Sequence, residues 1–343
     1  MLGPILGPAL GGVITDLASW RWVFVLNIPL GIIATWRMRE LLPLGAAKAD
    51  AGFDVIGLFL LIAGIGALQL SLQRGASQAW LSSPELLGGI AIAVIAFALI
   101  AARVRRSGFG ILRLDVFKDL NFATAAFFNF VTSGLLFTAI VFLPTLVQRP
   151  LGYPATIAGL TIVPRGIFMM LAILAVGQVI TRIDYRIVLA IGSGFMVAGL
   201  GLLTAIHAAD DLLWIVAGST VQAIGAGLVL MPLSTYAFAS LPVDMRTDAT
   251  GLYNLLRHIG CASWLALMSA VLQTKIAAHA AKIPAELRIA GEGHAQFIDG
   301  AMLKSYDDCF MMMAISAAVI TPLILLFRSG RGAQATPSVV PGD

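Results

Sequence analysis

Six stretches of this chain carry no Asp, Glu, Lys or Arg over about the length of a membrane crossing: residues 55–73, 86–102, 120–148, 187–209, 212–243 and 309–327. A helix needs about 20 apolar residues to cross a hydrocarbon core of about 30 Å. Residues 22–41, 155–180 and 249–274 join them once an occasional charge or a tight flank is admitted, Arg165 in the second and Arg257 in the third. Backbone in lipid must satisfy its own hydrogen bonds, so such runs are helices. The two-residue alternation of a membrane β-barrel is absent. Composition agrees: 12% of the 343 residues are charged and 59% hydrophobic, whereas soluble chains carry about 25% charge. A soluble fold could not cover its surface with so few polar groups.

Residues 1–15 are apolar and end at Asp16, short of a full crossing. No basic segment precedes them and no small-residue cleavage site follows, which speaks against a signal peptide. The simplest expectation is a chain that begins inside a helix, a truncated gene product or a late start. With that partial span there are about ten transmembrane helices. If the first runs outward, Arg37, Arg39, Lys48, Arg103, Arg105, Arg106, Arg113, Lys118, Arg182, Arg186, Arg246, Arg328 and Arg331 lie on the cytoplasmic side. The short outer loops then hold only Arg21, Arg74 and Arg149, as the positive-inside rule prefers. The C-terminus is therefore expected in the cytoplasm. Residues 275–308 would form an outer loop, rich enough in Ala, Leu and Ile to hold surface helices. The basic residues, responsible for a pI near 9.3, sit in short loops beside spans, so the lipid bilayer and not nucleic acid is the expected partner. Cys261 and Cys309 fall in different spans and form no disulfide framework.

The first span reads Gly3-Pro4-Ile5-Leu6-Gly7-Pro8-Ala9-Leu10-Gly11-Gly12. Positions 3, 7 and 11 share a helix face, along which another backbone can come close. A small-residue packing face accounts for the glycines, but not for the paired Gly-Pro steps. Gly3, Gly7, Pro8, Gly11 and Gly12 resemble the last elements of the antiporter motif of the major facilitator superfamily, found in its fifth helix. Trp20-Arg21-Trp22 with Asn27-Ile28-Pro29 is similar to the start of the sixth helix in fourteen-helix drug:proton antiporters of the EmrB/QacA type. Leu143-Pro144, Gly152-Tyr153, Pro164-Arg165-Gly166, Gly251-Leu252-Tyr253-Asn254 and Tyr306-Asp307-Asp308 resemble later segments of that family, in family order.

The resemblance implies an all-α integral membrane protein with a major facilitator fold, ten helices of an expected fourteen. Residues 1–41 would be a remnant of the first bundle, its helices five and six. Residues 42–108 would be the extra helix pair, 109–328 a complete second six-helix bundle, and 329–343 a disordered cytoplasmic tail. The activity implied is secondary active export of small amphipathic compounds or drugs from the cytoplasm across a bacterial inner membrane. Alternating access would drive it, with a proton gradient as energy source, no cofactor, and a periplasmic membrane-fusion protein as a partner to consider.

Within these spans, no Asp or Glu lies mid-membrane: Asp16, Glu85, Asp210, Asp211, Asp244, Asp248, Asp307 and Asp308 all fall at predicted edges. The coupling carboxylate is expected in the absent helices. Arg165 lies about ten residues inside its span, where a cation costs at least ~2.5 kcal/mol. Two readings of it stand: it faces the central cavity toward substrate or a carboxylate, or it packs against backbone freed by Pro164. Asn129, Ser133 and Phe137 form a stripe at i, i+4, i+8, suited either to a substrate cavity or to bridging neighbouring helices. Ser219 and Gln222 are weaker candidates of the same kind. Arg257 near a span edge snorkels or gates, and His258 beside it either titrates or is structural. The Met169-Met170 and Met311–Met313 runs read as core or lipid-facing filler. A membrane-embedded enzyme would need clustered His, Asp or Glu at membrane depth, yet His207, His258, His279 and His294 lie in separate segments. The other alternative is an inactive truncated remnant.

Overall fold

A computed structural model describes residues 2–17, 19–41, 54–75, 84–107, 114–180, 183–204, 212–242, 245–281 and 292–326. Their secondary structure is helical, with no strand among the described residues. The helices are α1 (Leu2–Leu17), α2 (Trp20–Leu41), α3 (Val55–Gly75), α4 (Pro84–Ser107), α5 (Leu120–Gln148), α6 (Ala155–Leu160), α7 (Val163–Val179), α8 (Tyr185–Leu202), α9 (Leu212–Ala239), α10 (Arg246–Ala281) and α11 (Glu292–Ile320).

Each expected span has its helix, and the uncharged run 120–148 is a single helix over those same residues. Among the described residues, seven of these segments are long and apolar enough to cross a bilayer: those carried by α4, α5, α6–α7, α8, α9, α10 and α11. The chain is thus a multi-pass membrane protein. α1, with 16 residues, is too short, and α2 carries Arg21, Arg37, Arg39 and Glu40; α3 is apolar over Val55–Ser71.

Two spans differ from expectation. The run 155–180 is broken into α6 and α7 by a turn at Thr161–Ile162. Pro164 sits in the first turn of α7, the place where its missing N–H costs nothing. The expected loop 275–308 is largely helix, because α10 runs on to Ala281 and α11 begins at Glu292. Its charges make contacts between the two helices instead: Asp308 Oδ2 lies 3.0 Å from Lys275 Nζ and 3.1 Å from His279 Nε2. The tail 329–343 and His207, Asp210, Asp211 and Asp244 lie outside the described residues.

Local chemistry sets the helix starts. Asp119 caps α5 by accepting from the Phe122 N–H at 2.9 Å, and Asp184 caps α8 by accepting from the Arg186 N–H at 3.0 Å, each satisfying a donor that the first turn leaves unpaired. Packing then divides the chain. α5, α8, α9, α10 and α11 share one apolar core that includes Phe122, Phe128, Leu189, Leu233 and Phe310. α7 closes against α9, α1 lies on α6 and α7, and α3 pairs with α4 and touches α10. α2 packs on α1 and leaves Trp22, Phe24, Leu30, Ile33 and Trp36 exposed.

The α3–α4 pair is clasped at one end by Asp54. Its carboxylate accepts from the Gly57 N–H at 2.9 Å and pairs with the Arg103 guanidinium at 3.1 Å. The Gly57 N–H, and after it Arg103, hold the Asp54 carboxyl below its ordinary value. A carboxyl so depressed stabilises the clasp at every pH above the ordinary value of about 3.9. That contribution is lost as pH falls through the lower folded value. Asp54→Ala should therefore speed amide hydrogen exchange in the first turn of α3 at neutral pH. The unaltered chain should show the same loosening only in acid below about pH 3.9.

Candidate functional site

Arg165, in the first turn of α7 and 2% exposed, is the one charged residue buried among the described residues. The broken span puts it there, since the turn at Thr161–Ile162 resets the helix just before Pro164. A cation in the first turn opposes the helix dipole and, away from water, needs acceptors from elsewhere. They come from two other helices. Arg165 donates through one terminal nitrogen to Gln222 Oε1 at 2.6 Å and to the Ser219 carbonyl at 3.3 Å, both on α9. Through the other it donates to the Leu136 carbonyl of α5 at 3.2 Å. Gln222 is fully buried, and its amide nitrogen reaches the Leu135 carbonyl at 3.5 Å. One guanidinium thus joins α5, α7 and α9.

Among the described residues no carboxylate stands within ion-pair reach of Arg165. Its charge is met by neutral dipoles alone. Five N–H donors in a planar fork let one side chain meet acceptors on two helices at once. The acceptors are not backbone freed beside Pro164, one of the two readings weighed from sequence. Apart from Gln222 Oε1, they are carbonyls in mid-helix on α5 and α9.

The other sequence candidates occupy different places. Asn129 and Ser133 are buried between α5 and α10: Ser133 Oγ donates to Asn129 Oδ1 at 3.1 Å, and Asn129 Nδ2 donates to the Tyr253 carbonyl at 3.4 Å. This is the helix-bridging arrangement. Phe137, on the same stripe, is 41% exposed. Ser219 enters the cluster through its carbonyl, while its hydroxyl donates to the Val216 carbonyl at 3.1 Å. Arg257 and His258 are exposed on α10, and His258 lines a small groove with Leu68 and Gln69 of α3. Of the motif on α1, Gly7 and Gly11 face open space among the described residues, whereas a Cβ on Gly12 would lie 2.6 Å from the Ala155 carbonyl oxygen. The tight approach is one residue beyond the predicted 3-7-11 face.

Sequence reasoning missed the Leu136 and Leu135 carbonyls, because every residue has one. It also missed Asp16, whose carboxylate reaches Thr156 at the start of α6. The abrupt end of the first apolar run was the only signal for it.

Comparison with known proteins matches residues 1–264 to the family model described as Major Facilitator Superfamily. The chain is similar to the Multidrug export protein EmrB of Haemophilus influenzae, at 27% identity over 81% of this chain and 55% of that protein. It is also similar to the Fatty acid resistance protein FarB of Neisseria gonorrhoeae, at 28% over 81% and 55%. A third relative is the Multidrug transporter protein MdtP of Bacillus subtilis, at 29% over 80% and 51%. The chain spans about half the length of these relatives.

Proposed function

The chain belongs to the major facilitator superfamily, and from that premise we propose that it exports small amphipathic compounds by alternating access, driven by a proton gradient. Substrate would bind near the bilayer midplane between two bundles that rock about it. The observation that carries the site is the buried Arg165 guanidinium, held by Gln222 and two carbonyls with no carboxylate to neutralise it among the described residues. A cation so placed suits amphiphiles that carry an acidic group. One relative's name, fatty acid resistance, agrees with such cargo, and another's, multidrug export, with export in general. Asn129, Ser133 and Phe137 on α5 and Ser219 on α9 are proposed as further substrate-cavity residues, with Arg257 and His258 on α10 proposed for gating or coupling.

The proposed setting is the bacterial inner membrane with the C-terminus in the cytoplasm, as the basic residues of the connecting segments prefer. A periplasmic membrane-fusion protein is the proposed partner. The two halves of the domain reading are α1 and α2 as part of a first bundle and α5–α11 as the second, with α3 and α4 between them.

Inverted membrane vesicles containing the chain test the activity directly. An imposed proton gradient should drive uptake of a fluorescent amphipathic dye, and collapsing the gradient should stop it. Uptake no faster than in vesicles without the chain overturns the proposal.

A further inference from the structure

We propose that Asp16 and Thr156 form a breakable latch between the two bundles, closing the molecule at the end where α1 stops and α6 begins. The inference rests on the transport reading, which assigns α1 to one bundle and α6 to the other.

The two residues stand 140 positions apart, and the carboxylate of Asp16 meets the first turn of α6 twice. Its Oδ2 accepts from the Thr156 N–H at 2.7 Å and from the Thr156 hydroxyl at 2.5 Å. Gly12, four residues earlier and so on the same helix face, lets the α1 backbone reach the Ala155 carbonyl oxygen and the Thr156 Cα. A tight backbone approach and a charged double acceptor therefore coincide within one turn of α1. Asp16 is the only charged residue of α1, and among the described residues it makes the polar tie between α1 and α6.

Exposure separates this contact from the polar contacts inside the second bundle. The Arg165–Gln222 bond and the Asn129–Tyr253 bond are buried and cannot be exchanged for water without opening the core. The Asp16–Thr156 pair is exposed, and water can replace either bond as it parts. Buried polar ties hold α5, α7, α9 and α10 together, whereas the polar tie of α1 to α6 among the described residues is the solvent-exchangeable Asp16–Thr156 pair, beside apolar and backbone packing. That distribution is what a rocking interface requires: a contact specific enough to define the closed state and weak enough to release.

The test uses the full chain with Cys261→Ala and Cys309→Ala. Asp16→Cys with Thr156→Cys should form a disulfide in membranes under mild oxidant, detected as a linked peptide by mass spectrometry, and export should stop until a reductant is added. Absence of the linked peptide overturns the latch, because the two ends then do not meet. A linked chain that still exports also overturns it, because the contact is then static.

A second readout does not depend on transport. Thr156→Val keeps the side-chain shape and the backbone N–H but removes the hydroxyl. A reporter thiol from Ala155→Cys should then react about fivefold faster with a membrane-impermeant maleimide, the loss expected for one hydrogen bond. Thr156→Ser, which restores the hydroxyl, should return the rate to that of the parent. Equal rates in all three chains overturn the latch. Faster labelling in a parent that does not export leaves the latch standing and removes the transport reading.

Discussion

Replacing Arg165 by methionine is expected to reduce export at least about tenfold while leaving the protein folded and inserted. The asymmetry follows from which partner is removed. Arg165 brings the only charge to its cluster; its acceptors are the neutral Gln222 side chain and two carbonyls in mid-helix. Those carbonyls have their own helical donors and lose little when the guanidinium leaves. Methionine fills similar volume, and exchanging a buried ion for a packed apolar side chain is often neutral or stabilising. The opposite change, Gln222→Leu, leaves the cation in place and takes away its shortest bond, at 2.6 Å. Stranding a buried charge costs roughly 3–5 kcal/mol, so this variant should lose folded protein before it loses transport. Export rate per inserted molecule, measured beside the thermal midpoint in detergent, separates the two. Normal export by Arg165→Met would reduce Arg165 to a structural tie between α5, α7 and α9. Arg165→Lys should recover little, because one ammonium cannot reach acceptors on two helices as the guanidinium fork does.

The second large effect is on stability. Gly260→Val is expected to lower the thermal midpoint by about 5 °C or more. Gly260 of α10 faces the Phe130 carbonyl of α5, and an added Cβ would overlap that backbone oxygen and approach Phe130 Cα at 3.0 Å. Backbone cannot rotate aside as a side chain can, so the two helices must separate. That separation would open the core around Phe122, Leu252 and Tyr253, and the Asn129–Tyr253 bond crosses the same seam. Gly194→Ala is the control, since a Cβ there meets nothing within 4 Å. Gly→Ala in a helix favours stability on propensity alone, so a fall in Gly194→Ala as large as in Gly260→Val would show that the close approach does not set the effect.

Much of the architecture was legible because its causes are local. Lipid offers no hydrogen-bonding partner, so an uncharged run such as 120–148 has one conformation open to it, and α5 covers those residues. The starts of α5 and α8 were equally local, set by Asp119 and Asp184 accepting from the first turn. The Gly-Pro pattern of α1 pointed to the family that the comparisons show. Local reading allowed helices in the segment 275–308 but not that they would continue the neighbouring spans. Residues 275–281 and 292–308 are helical despite their charges, which find partners across α10 and α11.

The site itself was decided by tertiary structure. Arg165 and Gln222 were both conspicuous as polar residues in apolar runs, yet they lie 57 positions apart and nothing in either span names the other. The remaining acceptors are carbonyls of Leu136 and Ser219, chemically identical to every other carbonyl in the chain, so only the docking of α7 against α5 and α9 selects them. The stripe of Asn129, Ser133 and Phe137 shows the same limit. Helical spacing put the three in one line, but two of them are buried, Asn129 bonded to the Tyr253 carbonyl of α10 and Ser133 to Asn129, while Phe137 is left exposed. Likewise the sequence marked a glycine face at 3, 7 and 11, whereas the register of α1 on α6 made Gly12 the point of closest approach. Sequence by itself determined which segments are helices and that they belong in a membrane, because the solvent imposes that residue by residue. Which polar groups meet was left to tertiary structure, because rotation and register between packed helices are set by side-chain fit over the whole seam and not by any one span.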